Sequence, residues 1–299
     1  MEKTLYRLLI FICFPGVLSA QNTLGYELRR GDVFTIEQKA EQHITQSLDD
    51  TSHELTNRVS GVIQFRVMEQ NDSTYLLEFM FQDLIFKIES SLQGVLFDVH
   101  AGEPKAGDTQ AAIFNALLNM PVQMKLSRQG KILEVVGGEQ MISKVLEQSG
   151  LPEGFSRSVM KKSLEQQYGS EALAESYEQM TYFYPEKPVR SNDHWSNRFE
   201  GKLEARNTWK LDSLTTTRTY ISGEAGIVMK TDEPSNSMRL EGKQQTTLIA
   251  DRKTGFIREM TVRSDAEGIS TAAQMGAVEI PTTINSIVTY RLIAQKHVQ

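Results

Sequence analysis

The stretches that come nearest to chemical motifs each lack a residue that the chemistry requires. Gly102–Thr109 has the spacing of a phosphate-binding loop, but Asp108 stands where the phosphate-contacting lysine belongs. A carboxylate there repels phosphate, so we interpret the stretch as a polar loop before a helix that Thr109 caps. His53-Glu54 begins like a zinc-protease helix, yet Asn57 replaces the second histidine ligand, and one histidine cannot hold a catalytic zinc. We expect His53 in a turn before a strand.

The remaining side chains with catalytic potential show no useful spacing. The sequence contains no Gly-x-Ser-x-Gly nucleophile elbow. Its histidines are not spaced as metal ligands, and they are His43, His53, His100, His194 and His297. We therefore predict no catalytic residue, no cofactor and no metal site. Enzymatic activity stays open, with the balance against it.

The first twenty residues predict export. Lys3 and Arg7 precede a short apolar stretch that ends in Ser19-Ala20, which is the pattern of a secretory signal cleaved after Ala20. The one cysteine, Cys13, lies inside this segment after a bulky residue, so it is not a lipidation site. The processed protein is then free of thiols and disulfides. We expect it in the periplasm or outside the cell, without a lipid anchor.

Charge and hydropathy limit the partners. The chain carries 32 basic and 38 acidic residues, a net charge of −6, with both signs evenly mixed. This balance argues against nucleic acid and against anionic membrane surfaces. Beyond the signal, no apolar stretch is long enough to cross a membrane.

The alternation of apolar and polar residues predicts long antiparallel strands in two parts of the chain. Residues 33–48 and 195–211 each have one apolar and one charged face, and 195–211 is interpreted as one strand with Trp195 and Trp209 on its apolar face. Further strands are expected at 215–230, 238–250, 256–263 and 284–293, separated by turns. In 74–88 the apolar phase changes at Gln82-Asp83, which predicts a β-bulge in a central strand covered on both faces.

Residues 109–185 predict helices around one short hairpin. Apolar stripes at helical spacing indicate helices at 139–149, 156–168 and 171–183, and each stripe requires a sheet to cover it. The predicted fold class is α+β: a long, curved antiparallel sheet with this helical block on one face. We divide the mature chain, 21–299, into a β-rich part (21–108), the helix and hairpin block (109–185) and a second β-rich part (186–299), all in one domain. The β-rich parts open alike, at Gly31-Asp32 and at Asn192-Asp193, so an internal duplication is one alternative.

Several residues on the predicted inner faces are polar or small instead of apolar. They are Gln38, Gln42, Asn197, Asn207, Gly223, Ala225, Gln244 and Thr246. Buried amides need hydrogen-bond partners, so these positions either line a ligand cavity or lie at strand ends outside the core. Aromatic residues between 177 and 195 either form a ligand platform or pack in the core. The candidate ligand-facing residues are Gln38, Gln42, Tyr177, Tyr184, Trp195 and Gln244.

Four turn and strand-start motifs carry a resemblance to a known family. They are Gly31–Thr35, Lys125–Lys131, Val136–Gly138, and Pro185–Val189 followed by Asp193-His194-Trp195. With these motifs the chain resembles an uncharacterised family of exported proteins, found mainly in Bacteroidetes, that is described only as a domain of unknown function. Asn192 stands where that pattern leads us to expect glycine. The resemblance implies no activity and no ligand.

The sequence thus supports two functional hypotheses. The first is an exported, non-enzymatic binding protein that holds an apolar or amphiphilic small molecule between helices and sheet. The fold is similar to the half-barrels of lipoprotein carriers, which is an analogy of architecture alone. The alternative is an envelope or extracellular interaction module that binds a protein or a glycan through a sheet edge or the aromatic segment.

Overall fold

The computed structural model describes residues 21–48, 51–104, 108–233, 236–272 and 278–298. The predicted signal peptide lies outside these residues. The strands are β1 (Asp32–Leu48), β2 (Thr51–Gln70), β3 (Thr74–Ser90), β4 (Gly94–His100), β5 (Val122–Ser127), β6 (Ile132–Val136), β7 (His194–Phe199), β8 (Leu203–Leu214), β9 (Arg218–Glu233), β10 (Asn236–Asp251), β11 (Ile257–Ala272) and β12 (Glu279–His297). The helices are α1 (Thr109–Asn115), α2 (Gly138–Gln148), α3 (Phe155–Tyr168) and α4 (Ser170–Thr181).

The described strands form one antiparallel sheet, as predicted. Their order is β6-β5-β3-β2-β1-β12-β11-β10-β9-β8-β7, and β4 pairs with part of β3. The sheet is not closed, since β6 and β7 are its two ends. Strands β1 and β12 pair along most of their length, so the first and second β-rich parts of the chain join at the middle of the sheet.

Helix α4 contacts both ends of this sheet. At one end, Glu178 Oε1 accepts a hydrogen bond from the backbone N–H of Ile132 in β6 (3.3 Å). At the other, Asn197 Nδ2 of β7 donates to the carbonyl oxygen of Tyr182, directly after α4 (2.6 Å). Eleven strands laid flat would place the outer two roughly 48 Å apart, whereas the 12 residues of α4 span about 18 Å. The sheet must therefore curve around the helix.

The predicted bulge in β3 is confirmed. Val62 pairs with Asp83 while Ile63 pairs with Phe81, so Gln82 is an extra residue on β3. The inner face consequently passes from Phe81 to Leu84, and both are buried. The prediction that this strand is central is wrong, because β3 lies third from the β6 end and its even-numbered side chains before the bulge are half-buried.

The prediction of one strand over 195–211 is also wrong. The segment is the hairpin β7–β8, with Gly201 in the turn at a φ of 119°. Paired residues in this hairpin have the same parity, as in Trp195 with Trp209 and Phe199 with Ala205. The odd-numbered residues therefore stay on one face through the turn, and the alternation resembles that of a single strand. The two tryptophans share a face because they are cross-strand partners.

The helices begin and end within two residues of their predicted bounds at 139–149, 156–168 and 171–183. The predicted cap of the first helix is wrong by one residue. Asp108 is the N-cap of α1, and its carboxylate accepts the backbone N–H of Ala111 (2.9 Å). The acidic residue that rules out a phosphate-binding loop thus satisfies a free N–H group at the start of a helix.

Candidate functional site

A row of mostly polar, uncharged side chains crosses the inner face of the sheet. Gln42 of β1 pairs with Asn57 of β2 on one side and with Ser286 of β12 on the other. Directly paired residues in antiparallel strands point to the same face, so the row can be followed from strand to strand. Its members are Asn57, Gln42, Ser286, Ser264, Gln244, Ala225, Asn207 and Asn197. We call these eight residues the polar row.

In the middle of the polar row, the side-chain oxygens of the two glutamines accept hydrogen bonds, whereas their side-chain NH2 groups have no partner among the described residues. Asn57 Nδ2 donates to Gln42 Oε1 (3.2 Å), and Ser264 Oγ donates to Gln244 Oε1 (3.3 Å). Within the part of the chain that the structure describes, the NH2 groups of Gln42 and Gln244 donate to no acceptor. Gln244 is only 5% exposed. The row therefore offers hydrogen-bond donors on a largely buried surface.

The β7 end of the row is internally satisfied. Asn197 Oδ1 accepts from Asn207 Nδ2 and from Trp209 Nε1, both at 3.0 Å, and Asn197 Nδ2 donates to the Tyr182 carbonyl. Asn207 and Trp209 are buried. This cluster fixes the end of α4 to the last two strands, so we assign it a structural role.

Charge is absent from the inner face around the row. Along each described strand, the two nearest inner-face positions above the row residue and the two below it hold no Asp, Glu, Lys or Arg. The one histidine among them, His53, lies in β2 near its first residue and contacts Ser90 Oγ (2.9 Å), so the expectation that it lies in a turn is wrong. The outer face of the same strands is charged, with ion pairs such as Arg58 with Glu41 (3.2 Å). The two faces of the sheet thus differ sharply in polarity.

Below the row, towards the first residues of β1, the inner face is covered by helix α4 and the segment after it. The Tyr177 ring of α4 lies 5.2 Å from the Phe79 ring and 6.3 Å from the Phe65 ring. The Tyr184 hydroxyl donates to the carbonyl of Gly255 (2.7 Å). Burial raises the pKa of both tyrosine hydroxyls, which therefore stay neutral. Two of the candidate ligand-facing residues are thus packed in the aromatic core.

Above the row, the inner face continues along the longest strands. The contacts that join α4 to the sheet reach as high as the β7–β8 turn, where the Lys202 N–H donates to Glu175 Oε2 (3.3 Å). Lys202 lies five residues above Asn207 of the row, so this contact is level with Met229 and Leu240, and strands β9, β10, β11 and β12 continue beyond it. The apolar inner-face residues above the row, on β1, β2 and β8 to β12, are Ile44, Leu55, Leu203, Ile227, Met229, Met238, Leu240, Ala266, Ile280 and Ile284. We call these ten residues the upper inner face; Ile44, Met229 and Met238 are among its half-buried members.

Two glycines in this region lie in tight contact with the neighbouring strand. A Cβ on Gly242 would lie 2.0 Å from the carbonyl oxygen of Asp265, and one on Gly268 would lie 2.2 Å from that of Arg239. Only glycine permits so close an approach of β10 and β11. The two strands therefore approach each other closely at the level just above the polar row.

The structure does not bring the candidate residues into one cluster. Gln42 and Gln244 lie in the polar row, and Gln38 lies four residues below it, paired with Gly61 and Tyr290. Trp195 is separate from them: its Nε1 donates to the Phe183 carbonyl (2.9 Å). Its half-buried side chain lines a surface groove of about 420 Å³ between β7 and residues 182–189.

Sequence reasoning missed three members of the row, Asn57, Ser264 and Ser286. The signal for Asn57 was the short interval between the first two strands. Leu48, the last residue of β1, pairs with Thr51, the first residue of β2, so paired positions sum to 99 and Gln42 lies opposite Asn57. The two serines required the register of β11 with β12, and residues 273–277 between those strands lie outside the described part of the chain.

Two other kinds of site are absent from the described ranges. No group of three or more His, Cys, Asp or Glu side chains there could hold a metal ion. None of the helices there combines the length and the apolar character needed to cross a membrane.

Comparison with solved structures shows likeness of fold. A structure of lipovitellin, reported for its lipid–protein interactions, matches with a TM-score of 0.57 and 10% identity over 91% of this chain. The match covers 26% of the lipovitellin chain, so this protein spans about a quarter of it. The COG4313 outer membrane channel of Pseudomonas putida F1 has a TM-score of 0.23 and 10% identity, covering 90% of this chain and 97% of that one. The β domain of the Bordetella autotransporter BrkA has a TM-score of 0.22 and 7% identity, covering 87% and 100%.

Comparison of the sequence with protein families identifies one. No curated protein matches the chain by sequence. The profile of a family of unknown function (DUF6263) matches residues 72–257, which is more than half of the chain. The matched range contains the hairpin motif at 125–131 and the motif from Pro185 to Trp195, whereas Gly31–Thr35 precedes it. The resemblance to a domain of unknown function is therefore confirmed, and the chain belongs to the family of unknown function DUF6263.

Proposed function

We propose that this protein is an exported, non-enzymatic binding protein that holds an apolar or amphiphilic small molecule on the upper inner face, next to the polar row. The observation that carries the proposal is the composition of that face. Its apolar side chains range from half-buried, as at Ile44 and Met229, to buried, as at Leu240 and Ile284. No charged side chain interrupts it near the row, and the amide groups of buried Gln244 and half-buried Gln42 border it. Ligand pockets combine these features: mostly apolar walls with a few placed polar groups.

Two further points support this reading. Lipovitellin, which has a similar fold over most of this chain, is a protein described for its interactions with lipid. The likeness extends to the fold alone, so the ligand class comes from the chemistry of the inner face. Export is part of the proposal because residues 1–20 have the pattern of a secretory signal.

An environment-sensitive dye tests the proposal. The mature chain from Gln21 should bind the dye, and a long-chain amphiphile should displace it. Replacing Ile44 by Trp adds a large ring to the upper inner face, so Ile44→Trp should abolish dye binding. Thr45→Trp places the same ring on the outer face of the same strand and should leave binding intact.

The outcomes separate a ligand site from a packed core. If Ile44→Trp keeps the wild-type melting temperature but binds no dye, the face is a ligand site. If the variant is strongly destabilised and the wild-type protein binds no dye, the face is ordinary core, in which overpacking costs about 1–3 kcal/mol. That second result would reject the binding function.

The alternative, an interaction module for a protein or a glycan, is favoured by the groove beside β7. It is lined by the rings of Tyr182 and Trp195 and by the charged side chains of Glu186 and Asp193, and it lies along an end strand of the sheet. Trp195→Ala should weaken such an interaction and leave dye binding unchanged. A partner pulled down through Trp195, together with absent dye binding, would favour this function.

A further inference from the structure

We infer that the ligand of the upper inner face is an amphiphile with an uncharged, hydrogen-bonding polar group, such as a hydroxyl, ester or amide, and that the polar row recognises this group. The inference rests on the proposed binding function and specifies its ligand class. It follows from two observations: which side chains surround the row, and which donors the row leaves unused.

The surroundings of the row select against a charged ligand. A carboxylate or phosphate held there would be removed from water, and the described inner face has no Lys or Arg within two inner-face positions of the row to pair with it. An ammonium group would likewise find no Asp or Glu there. Burying an unpaired charge is strongly unfavourable, whereas a neutral polar group needs only hydrogen bonds. The one histidine on the surrounding inner face, His53, lies two inner-face positions above the row and is engaged with Ser90.

The unused donors of the row suit a carbonyl or hydroxyl oxygen. The carboxamide oxygens of Gln42 and Gln244 already accept hydrogen bonds from Asn57 and Ser264, which orients each amide. Their NH2 groups have no acceptor among the described residues. An ester, amide or hydroxyl oxygen accepts from such donors, and the attached chain can then lie on the apolar residues above, which begin with Ile44.

The length of this surface fits an extended chain. From Gln42 to the last residue of β1, Leu48, six residues of strand rise about 20 Å. Apolar inner-face residues recur over the same distance, at Leu240 and Met238 on β10 and at Ile284 and Ile280 on β12, with the paired polar residues Gln46 and Thr282 between the last two. A ligand with its polar group at the row would therefore have apolar side chains beside its chain along this stretch.

Dye displacement by a matched series of ligands tests the inference. All ligands share one saturated chain and are used below micelle formation: a fatty alcohol, a monoacylglycerol, a fatty acid at about pH 8, where the carboxylate is ionised, and an alkyltrimethylammonium. We expect the two neutral ligands to bind about tenfold or more tightly than the two charged ones. The fatty acid should bind more tightly as the pH falls and it becomes neutral, while the alcohol should not change.

Two variants assign recognition to the row. Gln244→Leu should weaken the binding of the monoacylglycerol about two- to tenfold, the effect of one neutral hydrogen bond, and leave the affinity for an apolar dye unchanged. Gln245→Leu is the matched control, since Gln245 is exposed on the opposite face of the same strand. Gln42→Leu repeats the test at a half-buried site, and it decides the matter if Gln244→Leu does not fold.

The results distinguish this inference from the function on which it rests. Displacement by neutral and charged ligands with equal affinity would retain the binding function and reject recognition of an uncharged group. Unchanged monoacylglycerol affinity in Gln42→Leu would reject the role of the row. If no ligand displaces the dye, both proposals fail.

Discussion

Two glycines in β9 should respond oppositely to the same substitution. Gly223 is the cross-strand partner of Trp209, and a Cβ added to it would lie 2.5 Å from ring atoms Cε3 and Cζ3 of that tryptophan. Gly226, three residues later, is on the other face, and a Cβ there meets no heavy atom of the described residues within 4 Å. Gly226→Ala should therefore be harmless or stabilising, and Gly223→Ala should not.

The size of each effect can be worked out from the contacts. Replacing glycine by alanine within a strand gains about 0.5–1 kcal/mol by restricting the unfolded chain, which is the full expectation for Gly226→Ala. At Gly223 the same gain is opposed by overpacking of about 1–3 kcal/mol. Trp209 is 1% exposed and its Nε1 is bonded to Asn197, so the ring cannot move without losing about 1 kcal/mol more. We expect a net loss of about 1–3 kcal/mol for Gly223→Ala.

Urea denaturation followed by tryptophan fluorescence measures both variants. Trp209→Leu removes the ring that the new methyl group meets, so adding Gly223→Ala to that background should cost little, and the double-mutant cycle should show coupling. If Gly223→Ala is as stable as Gly226→Ala, Trp209 does not lie over Gly223. The register of β8 with β9, and with it this part of the polar row, would then be wrong.

Four further outcomes follow from other parts of the fold. Burial opposes ionisation of Asp251, but hydrogen bonds from Arg258 and two backbone N–H groups hold the pKa of its carboxyl below the usual range. Asp251→Asn should therefore lower the free energy of unfolding by about 1.5–3 kcal/mol at neutral pH. Urea melts should show this difference vanish as the pH falls through the lowered pKa. Burial raises the pKa of Glu178, so ionisation of this carboxyl opposes folding as the pH rises. Calorimetry should therefore show that Glu178→Gln raises the melting temperature at neutral pH and leaves it unchanged in acid. Asn192 has a φ of 70°, so a change to Gly should be tolerated and a change to Val should cost about 1–2 kcal/mol in denaturant melts; equal stability would contradict the turn. Iodide should quench half-buried Trp195 and not buried Trp209, and equal quenching would contradict their burial.

Most of the long strands were predictable because they have one polar and one apolar face. No bounds were predicted for β2 or β4, and β11 continues nine residues beyond its predicted end at 263. The phase change at Gln82 was enough to place a bulge, and the expected glycine at position 192 corresponds to a left-handed residue that asparagine also tolerates. The β7–β8 hairpin was missed because alternation alone does not reveal a turn across which the odd-numbered residues stay on the same face. Gly201 was the available signal, and it was not used.

The polar row was only half predictable. The inner-face amides Gln42, Gln244 and Asn207 were visible as exceptions to apolar alternation. That they form one line depends on the register of seven strand pairs, and only the shortest turns indicate a register from sequence. The aromatic segment could not be resolved for a related reason: Tyr184 and Trp195 have the same character in sequence, and long-range packing buries one and leaves the other in a groove.

Photo-crosslinking tests the central claim most directly. A monoacylglycerol with a diazirine on its chain should, on irradiation, label peptides that carry upper-inner-face residues such as Ile44, Met229 and Ile284. Ile44→Trp should abolish this labelling, and Thr45→Trp should not. Labelling confined to the outer face, or to the groove at residues 182–197, would contradict the account.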